Sequence, residues 1–137
     1  MSTLNIQERR IGEVTVLDMD GNIRIGGSNV ALQKAIRGLV AEGRNQIVLN
    51  LARVAYIDSS GLGELISGHV TLNNKGGQIK LLHLTQRLHE LMTITKLLTI
   101  FDVYDDESEA VDSFKLRDAM AVATAPRGNV KSAIAAF

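Results

Sequence analysis

The sequence predicts an α/β domain built on a mixed, mostly parallel sheet of four to five strands packed with helices, in the order β-β-α-β-α-β-α-β-α. Three observations carry this. Short apolar runs near positions 46–51, 78–84 and 99–104 alternate with stretches of helical spacing, the pattern of parallel strands joined by crossover helices. The first 20 residues instead hold two period-two segments around Gly12, a hairpin that adds antiparallel character at one side. The chain has 137 residues, 45% hydrophobic and 22% charged, which suits one folded domain and excludes wholesale disorder.

Leu4-Asn5-Ile6-Gln7 and Val14-Thr15-Val16-Leu17 supply the hairpin strands, and Asp20-Gly21-Asn22 closes the second. Ser28 is placed to cap a first helix along which Val30, Leu32, Ala35, Ile36, Leu39 and Val40 recur, with Gly43 suited to a left-handed stop. Gln46–Leu51 reads as a strand buried on both faces. A second helix follows Asp58-Ser59-Ser60-Gly61-Leu62-Gly63, with Leu62, Leu65, Ile66, His69, Val70 and Asn73 expected along one side and Gly76-Gly77 at its end. Gln78–Leu84 is the third apolar strand, and Thr85 opens a helix carrying Leu88, Leu91 and Met92. Thr99–Tyr104 is expected as the last strand and Asp105 as the start of a fourth helix through Ala110, Val111 and Phe114. From about Met120 the amphipathic pattern fails, so the domain is expected to span 1–119 and a mobile tail 120–137.

Composition removes several classes of function. Fifteen basic residues balance fifteen acidic ones, so there is no global basic footprint for nucleic acid. The absence of Cys removes disulfides, thiol nucleophiles and Cys-ligated metal sites. No apolar run approaches the roughly 18 residues of a membrane span, and the first ten residues lack a signal-peptide core, so a cytoplasmic protein is expected. His69, His83 and His89 are not spaced for a metal triad and read as packing or surface residues. Asp102, Asp105, Asp106, Glu107, Glu109 and Asp112 read as the solvated first turns of a helix. No catalytic, cofactor or metal-binding set emerges.

The densest chemical signal is Asp58-Ser59-Ser60-Gly61-Leu62-Gly63, at the carboxyl end of a buried strand and the start of a helix. Ligands and partners of open α/β sheets act at such places. Short polar side chains there accept bonds from the helix's first N–H groups, and a phosphoryl group on either serine would gain from the same donors. The plain alternative is a well-capped helix. Enzyme motifs fail here: the glycines do not flank a serine as a nucleophile elbow requires, no Gly-Lys-Ser/Thr makes a P-loop, and the dinucleotide fingerprint lacks its third glycine.

Ile47-Val48-Leu49-Asn50-Leu51 followed by Tyr56-Ile57-Asp58-Ser59-Ser60-Gly61-Leu62-Gly63 resembles the signature of the STAS domain, specifically of bacterial anti-sigma factor antagonists. The resemblance extends through Gly76-Gly77-Gln78-Ile79-Lys80-Leu81 and Leu91 to Val103, and back to the hairpin and Gly21, over roughly residues 4–115. It implies a STAS fold and a binding switch rather than an enzyme. In that family the unphosphorylated protein binds an anti-sigma factor, usually a Ser/Thr kinase of the GHKL ATPase type, and so releases a sigma factor. The kinase modifies the first serine after the Asp, here Ser59, and a metal-dependent phosphatase restores it. The implied switch loop comprises Asp58, Ser59, Ser60, Gly61, Leu62 and Gly63, with Asp58 and Ser60 in capping roles; no cofactor, nucleic acid or membrane is implied. The sequence departs from the family at Gly21-Asn22-Ile23-Arg24, where the family commonly reads Gly-Glu-Leu/Ile-Asp. That leaves three uses for Arg24: pairing with Asp58, pairing with a phosphate on Ser59, or altering partner choice. Two other classes of function stay open: a STAS interaction module in a signalling pathway without phosphorylation cycling, and a small phosphate- or nucleotide-binding module or an unrecognised enzyme.

Overall fold

The computed structural model describes residues 4–124, with side chains through 115. It contains β1 (Asn5–Ile11), β2 (Val14–Asp20), α1 (Ser28–Ala41), β3 (Gln46–Arg53), α2 (Ser59–Asn74), β4 (Gln78–Leu82), α3 (Gln86–Ile94), a 3-10 turn (Leu97–Thr99), β5 (Asp102–Tyr104) and α4 (Glu107–Thr124). The five strands lie side by side in chain order. β1 and β2 are antiparallel around a turn at Gly12, whose φ of +61° lies in the left-handed region; each later neighbour is parallel.

Alternation along the strands builds two cores. Leu17, Met19, Ile47, Leu49, Leu51, Ile79 and Leu81 pack with α1, α2 and α3 on one face. Val14, Val16, Val48 and Leu82 pack under Ala110, Val111 and Phe114 of α4 on the other. The central strands are therefore apolar on both sides, which is why their sequences read as continuous runs.

Several expectations are corrected. Ser28 does not cap α1. Gly26 and Gly27, both at positive φ, turn the chain so that Gly27 takes the cap position, and Ser28 is buried as the first helical residue. Its hydroxyl closes the loop instead, accepting from the Arg24 N–H at 2.7 Å and donating to the Arg24 carbonyl at 3.1 Å. The buried stripe of α2 is Gly61, Leu65, Gly68 and Leu72, while Ile66 and Val70 face outward. The last strand is short because Lys96, at φ +62°, starts a turn in which Ile100 and Phe101 donate to the Leu97 carbonyl, leaving only Asp102–Tyr104 for the sheet. β4 ends at Leu82 because His83 has φ +57°. Helix α4 begins at Glu107, after Asp106 accepts from the N–H groups of Ser108 and Glu109. The expected tail, 120–137, lies outside the described residues from 125 on; over 120–124 the backbone continues α4.

Candidate functional site

The turn after β3 is fixed by the loop after β2. Gly21 donates to the Arg53 carbonyl at 3.1 Å, Ile23 to the Tyr56 carbonyl at 3.0 Å, and Asp58 to the Ile23 carbonyl at 3.0 Å. Ile23 and Ile57 form a parallel bridge, and both side chains are buried. The two loops thus continue the β2–β3 pairing beyond the strands. This places Arg24 and Ile25 beside the start of α2.

Asp58 is the N-cap of α2. One carboxylate oxygen accepts from the Ser60 hydroxyl and from the Gly61 N–H at 3.1 Å; the other accepts from the Ile25 N–H at 2.9 Å. The Ser60 hydroxyl, followed by these backbone donors, holds the Asp58 carboxyl down to about 2, so it stays ionised at neutral pH. Ser59, the first residue of α2, is exposed, and Ser60 is half-buried against Asp58. Gly61 sits tightly on the floor of the turn: a Cβ there would lie 2.7 Å from methyl groups of both Ile23 and Ile57. Leu62 is half-buried against the main core, and Gly63 faces open space.

Arg24 does not pair with Asp58. Its guanidinium lies over the Tyr56 ring, 5.2 Å from the centroid, because the carboxylate already faces three donors from Ile25, Ser60 and Gly61. Arg87, on α3, lies over the same ring at 5.5 Å. Nothing local in the sequence singles out Arg87, since its contact comes from a residue 31 positions away. Ile25, next to Arg24, is 78% exposed.

The remaining candidates lie elsewhere. His69 stacks edge-on against Phe101, with ring centroids 5.0 Å apart, and its Nε2 lies 2.9 Å from the Asn73 side-chain amide. Burial pushes its imidazole below the usual histidine range, opposed by Asp102. Of the acidic stretch, Asp102 pairs with Lys80, Glu107 with Arg9, and Asp106 caps α4. Among the described residues no three His, Asp or Glu side chains converge as metal ligands, and no helix is long and apolar enough to cross a membrane. A polar depression of about 520 Å³ lies on the part of the sheet face that α4 leaves open, over β1–β3. Its charges pair internally, Arg9 with Asp18 and Arg53 with Asp20, so it offers no unspent charge, and the Asp58 turn is the candidate site.

The chain is 24% identical over 113 residues to an anti-sigma F factor antagonist of Paenibacillus polymyxa, covering 82% of this chain and 97% of that one. Its fold superposes on the crystal structure of an anti-sigma factor antagonist from Mycobacterium paratuberculosis with a TM-score of 0.72, at 22% identity over 81% of this chain and 93% of that one. It also superposes on the Bacillus cell fate determinant SpoIIAA in its phosphorylated form, with a TM-score of 0.65 at 20% identity, covering 80% and 99%. The sequence pattern of the STAS domain matches residues 5–110, a span that holds the whole five-stranded sheet and the Asp58 turn, and the chain belongs to the STAS-domain family.

Proposed function

We propose that this protein is an anti-sigma factor antagonist working as a phosphorylation-controlled binding switch. Unphosphorylated, it docks through the Asp58–Gly63 turn onto an anti-sigma factor of the GHKL Ser/Thr kinase type, which then releases its sigma factor. The same kinase phosphorylates Ser59 and ends the interaction, and a metal-dependent phosphatase resets it. The protein supplies a surface and an acceptor hydroxyl rather than catalytic groups.

The observation that carries this reading is the position of Ser59: exposed, first in its helix, and next to a carboxylate fully committed to the turn. The committed Asp58 keeps the backbone fixed, while the Ser59 hydroxyl is left accessible to an incoming enzyme. A phosphate there adds about −1.5 to −2 charges to a surface shaped for docking, so a partner that fits the free form meets both bulk and charge. The exposed Ile25 beside it supplies an apolar contact for that partner.

The test is modification and binding with the cognate anti-sigma factor. Intact mass after incubation with ATP gains one phosphate, Ser59→Ala abolishes the gain, and Ser60→Ala keeps it. In pull-downs wild type and Ser59→Ala bind, whereas Ser59→Asp does not. Phosphate mapped to Ser60, or equal binding of all three proteins, refutes the assignment. Arg24, which stands where the family commonly carries an acid, favours a second reading: a STAS module that binds its partner without cycling. That reading predicts binding with no mass gain.

A further inference from the structure

We propose that Arg24 and Arg87, gathered on Tyr56, form an intramolecular receptor for a phosphoryl group on Ser59. The proposal rests on Ser59 as the modified residue and adds where the new charge goes.

The turn itself has little to offer a phosphate. A helix N-terminus usually receives an anion through its first N–H groups. Here Asp58 already occupies part of that place: its carboxylate accepts from the Gly61 N–H, the Ser60 hydroxyl, and the Ile25 N–H of the neighbouring loop. The carboxylate is ionised and adjacent in sequence, so a phosphate on Ser59 meets a like charge where donors would otherwise be. It needs a cation from outside the helix.

Two cations rest on Tyr56, three residues before Ser59, without a carboxylate. Arg9, Arg10, Arg44 and Arg53 each meet an acidic side chain. Among the described residues Arg24 and Arg87 meet none; both are exposed, and the contact they share is the Tyr56 ring, at 5.2 and 5.5 Å. Arg37 is also without a carboxylate among the described residues, but it lies on α1 and makes no ring contact. Two guanidinium groups on one ring concentrate positive charge there, and a nearby anion offsets it. An arginine resting on an aromatic ring can still grip a phosphate through its N–H groups with two parallel bonds.

The anchoring is local to Ser59. Tyr56 precedes it by three residues, and Arg24 adjoins Ile25, whose N–H is bonded to Asp58. Three chain segments, the loop after β2, the turn after β3 and the start of α3, thus meet at the Tyr56 ring, three residues before the serine. Phosphorylation then does more than add a negative group, because it also draws two exposed cations away from any partner.

The test uses full-length protein with phosphoserine genetically encoded at position 59, so it proceeds whether or not a kinase acts. The second ionisation of the phosphate, about pH 6 when unpaired, is followed by phosphorus NMR. Two arginines near the group lower that midpoint in the parent by about 0.5–1 unit relative to Arg24→Gln/Arg87→Gln, and each single variant recovers part of the difference. Far-UV circular dichroism checks that the variants remain folded, as expected for exposed side chains. The Arg37→Gln control leaves the parent midpoint unchanged. Equal midpoints in parent and double variant overturn the receptor, as does an equal shift in Arg37→Gln, which would reduce the effect to net charge. Either outcome is distinct from failure of the kinase assay, which counts against the proposed function and not against the receptor.

Discussion

At the scale of single residues, Asp58 joins two loops and a helix through one carboxylate, and its titration follows. Its value in the folded protein, about 2, lies below the ordinary 3.8 because the ionised form accepts the bonds. The folded state therefore releases this proton more readily than the unfolded chain does. The stability Asp58 contributes is complete above pH 3.8 and is lost as pH falls through 2. Urea midpoints of wild type and Asp58→Asn should differ by a constant amount at neutral and mildly acidic pH, and the gap should close below pH 3.8 toward pH 2. A gap that persists unchanged through that window refutes the assignment. The Asp-Ser-Ser-Gly cluster was legible as a cap, and as a candidate site, because its residue types and spacing are local. Arg87 was not legible, because what gives it meaning is a ring contributed by another segment, and no period along the chain encodes that meeting.

Among the elements, α2 shows how glycine misleads a reading of hydrophobic period. Leu62, Leu65, Ile66, His69, Val70 and Asn73 suggest the buried stripe; of these Leu65 is fully buried, and the helix turns Gly61, Gly68 and Leu72 to the core with it. The missing side chains let the helix come close, and the contact made there outweighs the apolar area that Ile66 and Val70 would have buried. The three tight glycines on or beside α2 are not equivalent. A Cβ on Gly77, just after the helix, would stand 2.1 Å from the Asn45 carbonyl oxygen, which belongs to the backbone and cannot give. One on Gly61 meets the branched Cγ2 methyls of Ile23 and Ile57 at 2.7 Å, and one on Gly68 meets side-chain ends of Ile36 and Ile79 at 3.1 Å. Alanine substitution should therefore destabilise in the order Gly77, Gly61, Gly68. Gly61→Ala should cost about 1–3 kcal/mol, and Gly68→Ala less, because alanine also favours the helical state there. Denaturant midpoints decide the order; Gly68→Ala proving the worst of the three would contradict this packing.

For the molecule as a whole, one sheet separates two cores of unequal cover. Three helices close one face; among the described residues α4 alone closes the other. Where β4, β5 and α4 meet stands Lys80, with only 4% of its side chain exposed. Its ammonium lies 4.8 Å from the Phe114 ring centroid, 5.4 Å from that of Tyr104 and 3.3 Å from the Asp102 carboxylate. Position 80 lies within the expected third strand, but the sequence alone does not show that aromatic rings arrive to receive the charge. Removing only the anion leaves a desolvated ammonium, so Asp102→Ala should cost about 1–3 kcal/mol, at the lower end because Asp102 is itself half exposed. Lys80→Met, which fills the same space without a charge, should stay within about 1 kcal/mol of wild type. Urea unfolding of the two variants distinguishes them; a larger loss for Lys80→Met would mean that the ammonium–ring contacts dominate.

The side-by-side order of the strands also bears on how the chain is made. Every strand pairs with the one synthesised just before it, so no gap is held open for a later arrival. Each parallel pair closes over one helical crossover and never across an intervening strand, which limits the time a bare sheet edge is exposed. As the chain leaves the ribosome, β1, β2 and β3 can assemble first and draw the Ile23–Ile57 bridge together behind them. The Asp58 turn would then be shaped before β4 emerges, while Arg87 is still to come. A nascent chain would present the serine before it possessed the second of the two cations gathered on Tyr56.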